Sequence, residues 1–367
     1  MIPLKNLLSE RARLITSVVG VGFAVMLVLV MTGIFVGTTN QVTTYIDHHH
    51  EEVWVAQPGT TQMFRSVSWL PDETRDELLK IPGVAGASPV LGVPTSFVRD
   101  GSQTAIYLLG YDPKAAAGGP WKLAEGRAEV AAGETVLDRV LAAKNGVGVG
   151  DTVELADASF TVVGLSEETA AVGNFYAFIS LEDAKERLRA DNRVSYFLVQ
   201  PEPGADPGDL AAAIDERLPG AVALTSGEFS DNSREIVISM MGRPFYAMIA
   251  IGVLVGVALV SLTVLASAAE QMREFGVLKA IGVATPQVYG IVLTQAALLA
   301  VSGYALGASV TYGLQFLLAE RMGDVTIEIT APVLLAMFAV TLVMAALGSI
   351  GPVRRVTRLD PAIAFRN

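Results

Sequence analysis

The sequence predicts a membrane α-helical protein in which four transmembrane helices carry an α+β extracytoplasmic domain inserted between helices 1 and 2. Hydrophobic residues make up 51% of its 367 residues, and the mean hydropathy of +0.47 is high for a soluble protein. Much of this excess lies in four charge-free segments, each longer than the roughly 20 residues that cross a bilayer: Leu14–Val36, Phe245–Ala269, Pro286–Leu318 and Ala331–Pro352. About 200 residues of ordinary soluble composition separate the first segment from the second, enough for a domain with its own core.

The N-terminal residues 1–13 combine basic residues with interspersed leucines, which indicates a cytoplasmic amphipathic helix on the membrane surface. A cleaved signal peptide is the competing interpretation, but its apolar core would span only about 7–15 residues before a small-residue cleavage site. The first span is therefore expected to be retained. The predicted division is the surface helix 1–13, TM1 14–37, the extracytoplasmic domain 38–240, TM2 244–269, a cytoplasmic helix or loop 270–284, TM3 285–319, a short external loop 320–330, TM4 331–353 and a cytoplasmic tail 354–367.

Lys and Arg near the ends of the spans predict the orientation, since cytoplasmic loops are enriched in basic residues. Four spans place three basic clusters on one side: Lys5, Arg11, Arg13, Arg273, Lys279, Arg354, Arg355, Arg358 and Arg366. Both termini of this multi-pass cell-membrane protein are thus expected in the cytoplasm. Residues 40–235 carry 15 Lys/Arg against 30 Asp/Glu, an acidic excess that argues against nucleic acid as a partner.

The inserted domain is predicted to be α+β, because short β-branched or aromatic segments alternate with segments whose apolar residues have helical spacing. The predicted strands are Val53–Gln57, Thr104–Gly110, Thr152–Leu155, Phe160–Gly164, Tyr176–Ile179 and Tyr196–Gln200. The predicted helices are Pro71–Lys80, Leu181–Ala190 and Asp206–Leu218.

The motifs of several common enzyme classes are absent from the sequence. It contains no GxxxxGK[ST] phosphate-binding loop, so it is not expected to bind ATP itself. It has no cysteine, and its three histidines are adjacent, which excludes an HExxH zinc site and any Cys–His pair. No GxSxG motif is present for a serine hydrolase. We expect no catalysis, no firm metal site and no cofactor in this chain.

A short charged island, EQMREFGVLKAIG at Glu270–Gly282, lies between the second and third apolar segments. Apolar residues recur at every third position and would line one side of a short helix: Met272, Phe275, Leu278 and Ile281. From the pattern alone, a solvated connector between two spans is as good an interpretation as a docking helix.

The residues REFGVLKAIG, followed by a long apolar helix, resemble the cytoplasmic loop of MacB/FtsX-type (type VII) ABC transporter permeases. The phrases GETVLDRVLAAKNGVGVGDTVEL at 133–155 and FTVVGL at 160–165 resemble the periplasmic domain of the same family. The plan of one span, a large external domain and three further spans is similar as well, and is closest to DevC/HrtB-like exporter permeases. The resemblance implies that the island is a coupling helix docking on a separate ATPase through Glu270, Met272, Arg273, Glu274, Phe275, Gly276, Leu278, Lys279, Ile281 and Gly282.

The resemblance further implies a homodimer with two ABC ATPase subunits, in which ATP and Mg²⁺ belong to the ATPases. The expected function is export of an amphiphile from the outer leaflet by mechanical transmission, with haem, a lipid or glycolipid, or a hydrophobic drug as candidate substrates. The alternatives are FtsX-like signalling to an external cell-wall hydrolase, and lipoprotein release. An envelope adaptor or outer-membrane partner would suit an exporter, and membrane lipid is a partner in each case.

Two clusters flank the outer ends of the first two spans and are candidate substrate-binding residues: Tyr45, His48, His49 and His50, and Met240, Met241 and Arg243. Histidine and methionine ligate haem iron, and arginine pairs with carboxylates. The competing interpretation is a polar interfacial segment, because adjacent histidines point around a helix rather than onto one face.

Glycines spaced four residues apart occur in three spans as Gly33/Gly37, Gly252/Gly256 and Gly303/Gly307, a spacing that allows close approach of helices in lipid. They would serve either dimerisation, as the resemblance implies for Gly33 and Gly252, or packing within one four-helix unit.

Overall fold

The computed structural model describes residues 2–49, 52–63, 67–99, 101–115, 117–171, 174–270, 284–321 and 327–357. The chain divides into two compact units. The helical unit comprises Met1–Gly37, Met241–Met322 and Thr326–Asn367, and the inserted domain comprises Thr38–Met240 with Gly323–Val325.

The described helices are α1 Ile2–Gln41, α2 Thr44–Asp47, α3 Thr74–Leu78, α4 Arg139–Lys144, α5 Leu181–Leu188, α6 Pro207–Arg217, α7 Ser226–Glu270, α8 Thr285–Arg321 and α9 Ala331–Thr357. The described strands are β1 Val53–Ala56, β2 Leu70–Pro71, β3 Val84–Arg99, β4 Ser102–Tyr111, β5 Leu123–Gly126, β6 Glu134–Asp138, β7 Thr152–Leu155, β8 Ala158–Ser166, β9 Ala170–Ala171, β10 Asn174–Ser180, β11 Arg193–Val194, β12 Tyr196–Pro201 and β13 Val222–Thr225.

Four of these helices are long and apolar enough to cross a membrane, over Ile15–Gln41, Ser226–Ala266, Tyr289–Leu318 and Ala331–Gly351. Helix α1 is continuous from Ile2, so the expected surface helix 1–13 and the first span form one helix. Helix α7 begins at Ser226, well before the expected start of the second span at 244, and contains Pro244. The expected ends of these two spans follow the charge-free segments. The helices α1 and α7 themselves begin earlier, in the charged residues that precede those segments.

Close contacts between small residues hold the helical unit together. Val21, Val25 and Leu29 of α1 share a buried cluster with residues of α7, α8 and α9. A Cβ on Gly307 would lie 2.6 Å from the carbonyl oxygen of Gly22. The backbones of α1 and α8 are therefore close enough that only glycine fits at position 307.

In the described part of the chain, the inserted domain is built on a sheet of eleven strands. Nine of them follow the order β13-β1-β12-β3-β4-β10-β6-β8-β5, and β9 pairs with β10. Strand β7 pairs with both β3 and β8, which closes β3, β4, β10, β6, β8 and β7 into a ring. Within this ring β10 runs parallel to β4 and β6 runs parallel to β8. Buried residues from all six strands, among them Phe97, Leu108 and Phe160, form one hydrophobic cluster.

The long strand β3 joins this ring to a second lobe. Its first half pairs with β12, which continues into β1 and β13. Residues of α3 and α6 complete the core of this lobe, including Leu78 and Ile214. A third, aromatic cluster contains Trp54, Tyr176 and Phe229 and adjoins the candidate site described below.

All six predicted strands and all three predicted helices of this domain occur at the expected places, with ends shifted by a few residues. The sequence does not reveal β3, because Gly86, Pro89, Gly92 and Pro94 interrupt its apolar pattern. Pairing along most of its length with β12 and then β4 keeps these 16 residues in one strand.

Candidate functional site

The segment after α1 is anchored to the start of α7 within the inserted domain. The Ser226 hydroxyl lies 2.6 Å from the carbonyl oxygen of His49 and 2.7 Å from that of Glu52, and it accepts a hydrogen bond from Trp54 Nε1 at 3.1 Å. Asp47 pairs with Arg234 at 2.7 Å and accepts a hydrogen bond from the hydroxyl of Ser230. These contacts at Asp47, His49 and Glu52 hold the chain around His48 and His49.

Tyr45 lies in the core of the domain. It is wholly buried, and its hydroxyl donates to the carbonyl oxygen of Gly118 at 2.9 Å. Burial raises the pKa of Tyr45 well above its usual value of 10.0, with a smaller contribution from Glu52. Tyr45 therefore holds Gly118 in place from the core of the domain, and its predicted role in substrate binding stays a prediction.

The predicted histidine cluster does not converge on one point. His48 Nδ1 donates to the carbonyl oxygen of Thr44 at 2.7 Å, and its ring stacks on Trp121 at 4.5 Å between centroids. His49 instead points toward Glu52, with 3.5 Å between Nδ1 and Oε2. His50 lies outside the described residues.

A pocket of about 380 Å³, here called the Glu52 pocket, opens beside these residues. It is lined by His48, His49, Glu52, Tyr111, Pro113, Ala115, Ala117, Gly118, Gly119, Pro120, Trp121, Ala128 and Glu129. The Tyr111 hydroxyl donates to the carbonyl oxygen of Ala128, and burial raises the pKa of Tyr111 to about 12. This volume lies within the range of small-molecule sites.

Several buried polar atoms on the lining have no hydrogen-bond partner: His49 Nε2, Glu52 Oε2 and Trp121 Nε1. Such atoms are rare in folded proteins and each requires an explanation. The sequence pattern indicated His48 and His49 as candidate site residues but did not indicate Glu52, Tyr111 or Trp121. The available signal was a tryptophan after the glycines of AGGPW at 117–121, in a chain with only three tryptophans.

The other predicted site residues lie elsewhere. Met240 is 73% exposed and Met241 is 38% exposed on α7, and neither they nor Arg243 line the Glu52 pocket. The described residues contain no group of three or more His, Asp or Glu side chains suited to a metal ion. Of the predicted coupling segment, only Glu270 is described, as the last residue of α7, and residues 271–283 lie outside the described part of the chain.

The glycines predicted for dimerisation or helix packing meet side chains of their own chain. A Cβ on Gly252 would lie 2.6 Å from Val28 Cγ2, and one on Gly33 would lie 2.7 Å from Ile327 Cγ2. One on Gly256 would overlap Met344 Cε at 1.8 Å. Packing within one helical unit therefore accounts for these three positions, one of the two readings that the sequence allowed.

Comparison with known proteins gives two family matches that together span most of the chain. Residues 14–217 match the MacB-like periplasmic core domain, and residues 246–361 match the FtsX-like permease C-terminal domain. The first match alone covers more than half of the chain.

Two relatives match nearly the whole of this chain. An uncharacterized ABC transporter permease of Mycobacterium tuberculosis is 24% identical over 368 residues, covering 99% of this chain and 98% of the relative. The macrolide export ATP-binding/permease protein MacB of Nitrosomonas europaea is 22% identical over 392 residues, covering 97% of this chain and 57% of that protein.

Two solved structures similar to this chain are an isolated periplasmic region and an isolated extracellular domain. The periplasmic region of MacB from Actinobacillus actinomycetemcomitans is 13% identical and covers 50% of this chain and 92% of its own, with a TM-score of 0.39. The extracellular domain of the ABC-type transporter YknZ from Gram-positive bacteria is 14% identical. It covers 47% of this chain and 98% of its own, with a TM-score of 0.36.

Proposed function

Because this chain belongs to the MacB/FtsX-type ABC transporter permeases, we propose that it is the permease subunit of an exporter for an amphiphilic substrate. Family membership implies a partner ATPase, which would supply ATP and Mg²⁺. The complex that we propose contains two permease and two ATPase subunits in the cell membrane, with both permease termini in the cytoplasm. Haem, a lipid or glycolipid, and a hydrophobic drug remain the candidate substrates.

The observation that carries this proposal is the continuity of α7. This single helix of 45 residues follows β13 of the inserted domain directly and ends at Glu270, the first residue of the proposed coupling segment. Because α7 is helical over its whole length, Pro244 included, movement at one end would be carried toward the other.

In the proposed cycle, closure of the ATPases pushes on the segment 270–282 and α7 carries that movement toward the inserted domain. The substrate enters laterally from the outer leaflet and is expelled outward. The Phe275 and Leu278 side chains would bury apolar surface on the ATPase, worth about 1.5–3 kcal/mol each.

The coupling segment can be tested by replacing Phe275 and Leu278 together with aspartate. We expect the double variant to insert and fold, but to lose co-purification of the ATPase or to leave ATP hydrolysis uncoupled from efflux, because two charges would be buried at the contact. Pull-down from membranes and efflux from reconstituted vesicles measure these two effects.

Ala280→Asp is the matched control, since position 280 lies on the opposite side of the predicted helix from positions 275 and 278 and a charge there should leave assembly intact. Normal assembly and normal efflux in the double variant would exclude this docking surface. Intact assembly without efflux of any amphiphile, combined with ATP-dependent activation of a cell-wall hydrolase, would favour the signalling role.

A further inference from the structure

We propose that the Glu52 pocket binds a small, positively charged molecule that carries a primary ammonium group and hydrogen-bonding oxygens, about the size of an amino sugar. The inference concerns the inserted domain alone, because every residue that lines the pocket belongs to that unit. It does not depend on the proposed transport function.

The charge of the pocket favours a cation. Among the described residues, its lining contains two carboxylates, Glu52 and Glu129, and no Lys or Arg. The Glu52 side chain is only 8% exposed, and its Oε2 atom receives no hydrogen bond. A buried carboxylate without a donor is costly, so a ligand that brings an ammonium group would gain both charge pairing and hydrogen bonds.

His49 does not satisfy this carboxylate. The 3.5 Å between His49 Nδ1 and Glu52 Oε2 exceeds the usual N–H···O distance of about 2.7–3.2 Å. The other ring nitrogen, Nε2, is buried and also has no partner. Both side chains therefore retain hydrogen-bonding capacity at the pocket.

A second recognition element is the indole N–H of Trp121. This group can only donate, it is buried, and no acceptor reaches it. A ligand with a hydroxyl or carbonyl oxygen would supply the missing acceptor. The ligand that satisfies the lining thus combines an ammonium donor with at least one oxygen acceptor.

The volume of the pocket and its aromatic lining further restrict the class of ligand that it could bind. A volume of about 380 Å³ corresponds to roughly a dozen water molecules at about 30 Å³ each, which is room enough for a monosaccharide together with ordered water. The aromatic side chains of Tyr111 and Trp121 line the pocket, and such rings favour both cations and the apolar faces of sugars.

Other ligand classes suit the pocket less well. An anion, or the phosphate of a zwitterionic headgroup, would meet Glu52 and Glu129 without a basic side chain on the lining. A metal ion is disfavoured because the described residues offer no group of three or more suitable ligands.

The test uses the purified full-length permease and two probes of nearly identical shape, glucosamine and glucose. Glucosamine differs at position 2, where an ammonium group replaces the hydroxyl, so the difference in affinity isolates the charge. Ligand-observed NMR measures binding directly, and the shift in thermal unfolding provides a second readout. We expect glucosamine to bind with a dissociation constant of about 1 mM or tighter, and glucose at least tenfold more weakly.

Two variants assign the contacts. Glu52→Gln keeps the shape and removes the charge, so glucosamine should lose at least tenfold in affinity and bind no better than glucose. Trp121→Phe keeps a ring and removes the indole N–H, so it should weaken both probes. Glu216→Gln, at an exposed position of α6 outside the pocket, is the matched control and should bind as the wild type does.

Three results would overturn the inference: no glucosamine binding to the wild type, equal affinity for glucosamine and glucose, or unchanged glucosamine affinity in Glu52→Gln. Stronger binding of phosphorylethanolamine than of glucosamine would instead assign the pocket to a lipid headgroup and would also contradict it. The assay requires neither the ATPase nor transport, so its failure is distinguishable from failure of the proposed function.

Discussion

Buried polar side chains in the inserted domain differ in how many of their polar atoms have a hydrogen-bond partner. Asp138 is 1% exposed, yet Oδ1 accepts from the amides of Val140 and Leu141, and Oδ2 accepts from the Thr169 hydroxyl at 2.7 Å. It therefore caps α4, as aspartate commonly does. Glu52 lacks such donors at Oε2, and this contrast separates a structural carboxylate from a candidate binding group.

Burial nevertheless raises the pKa of Asp138 above its usual value of 3.8, despite these hydrogen bonds. Between the unfolded and the raised folded pKa, the native state holds a proton that the unfolded state has lost. The contribution of Asp138 to stability therefore falls as pH rises through this window, by at most about 1.4 kcal/mol per pH unit.

We expect Asp138→Asn to remove this pH dependence. Melting temperatures of the detergent-solubilised protein, measured between about pH 4 and pH 7, should give a wild-type minus variant difference that decreases with pH. Asp206→Asn, at the solvent-exposed N-cap of α6, is the control for replacing a capping aspartate by asparagine. Parallel profiles for the wild type and Asp138→Asn would contradict the assigned pKa shift.

At the scale of elements, small residues determine how closely the membrane helices approach. Gly307 of α8 would place a Cβ 2.6 Å from the Gly22 carbonyl oxygen and 2.9 Å from Val25 Cβ, whereas Gly313 of the same helix has no atom within 4 Å of that position. Backbone atoms cannot move aside as the end of a side chain can. The two glycines thus differ in packing although both occupy the interior of one helix.

Replacing Gly307 with alanine should separate α1 from α8 and destabilise the helical unit by about 1–3 kcal/mol. Gly313→Ala should be neutral, or stabilising by up to about 1 kcal/mol, because alanine has the higher helix propensity. Thermal unfolding of the two variants in the same detergent tests this. Equal melting temperatures would mean that the α1–α8 approach is looser than described.

At the scale of the whole molecule, the chain combines four membrane-spanning candidates with a large acidic domain inserted after the first. The basic residues that flank the spans predict that this domain is external. Because the chain has no cysteine of its own, single introduced cysteines report sidedness without background.

Ser102→Cys, at the first residue of β4, should react with a membrane-impermeant maleimide in intact cells, because this exposed position belongs to the inserted domain. Ala284→Cys, just before α8, should react only after the membrane is permeabilised. Each variant serves as the control for the other. The opposite labelling pattern would invert the proposed topology and with it the contact with the ATPase.

The four spans, the inserted α+β domain and the resemblance to its family could be predicted from the sequence. Each depends on local composition, on short-range periodicity, or on a contiguous motif such as REFGVLKAIG. The proposed coupling segment was predicted in this way, and only its first residue, Glu270, is described.

The Glu52 pocket depends on the tertiary structure, because its lining comes from 48–52 and 111–129, far apart in the chain. The Tyr45 hydroxyl contacts the Gly118 carbonyl, and the His48 ring contacts Trp121, only because the fold brings these two distant segments together. The same folding buries Tyr45 and turns adjacent histidines toward different partners. Side-chain periodicity within one segment does not contain this information, since burial is decided by residues that pack from elsewhere in the chain.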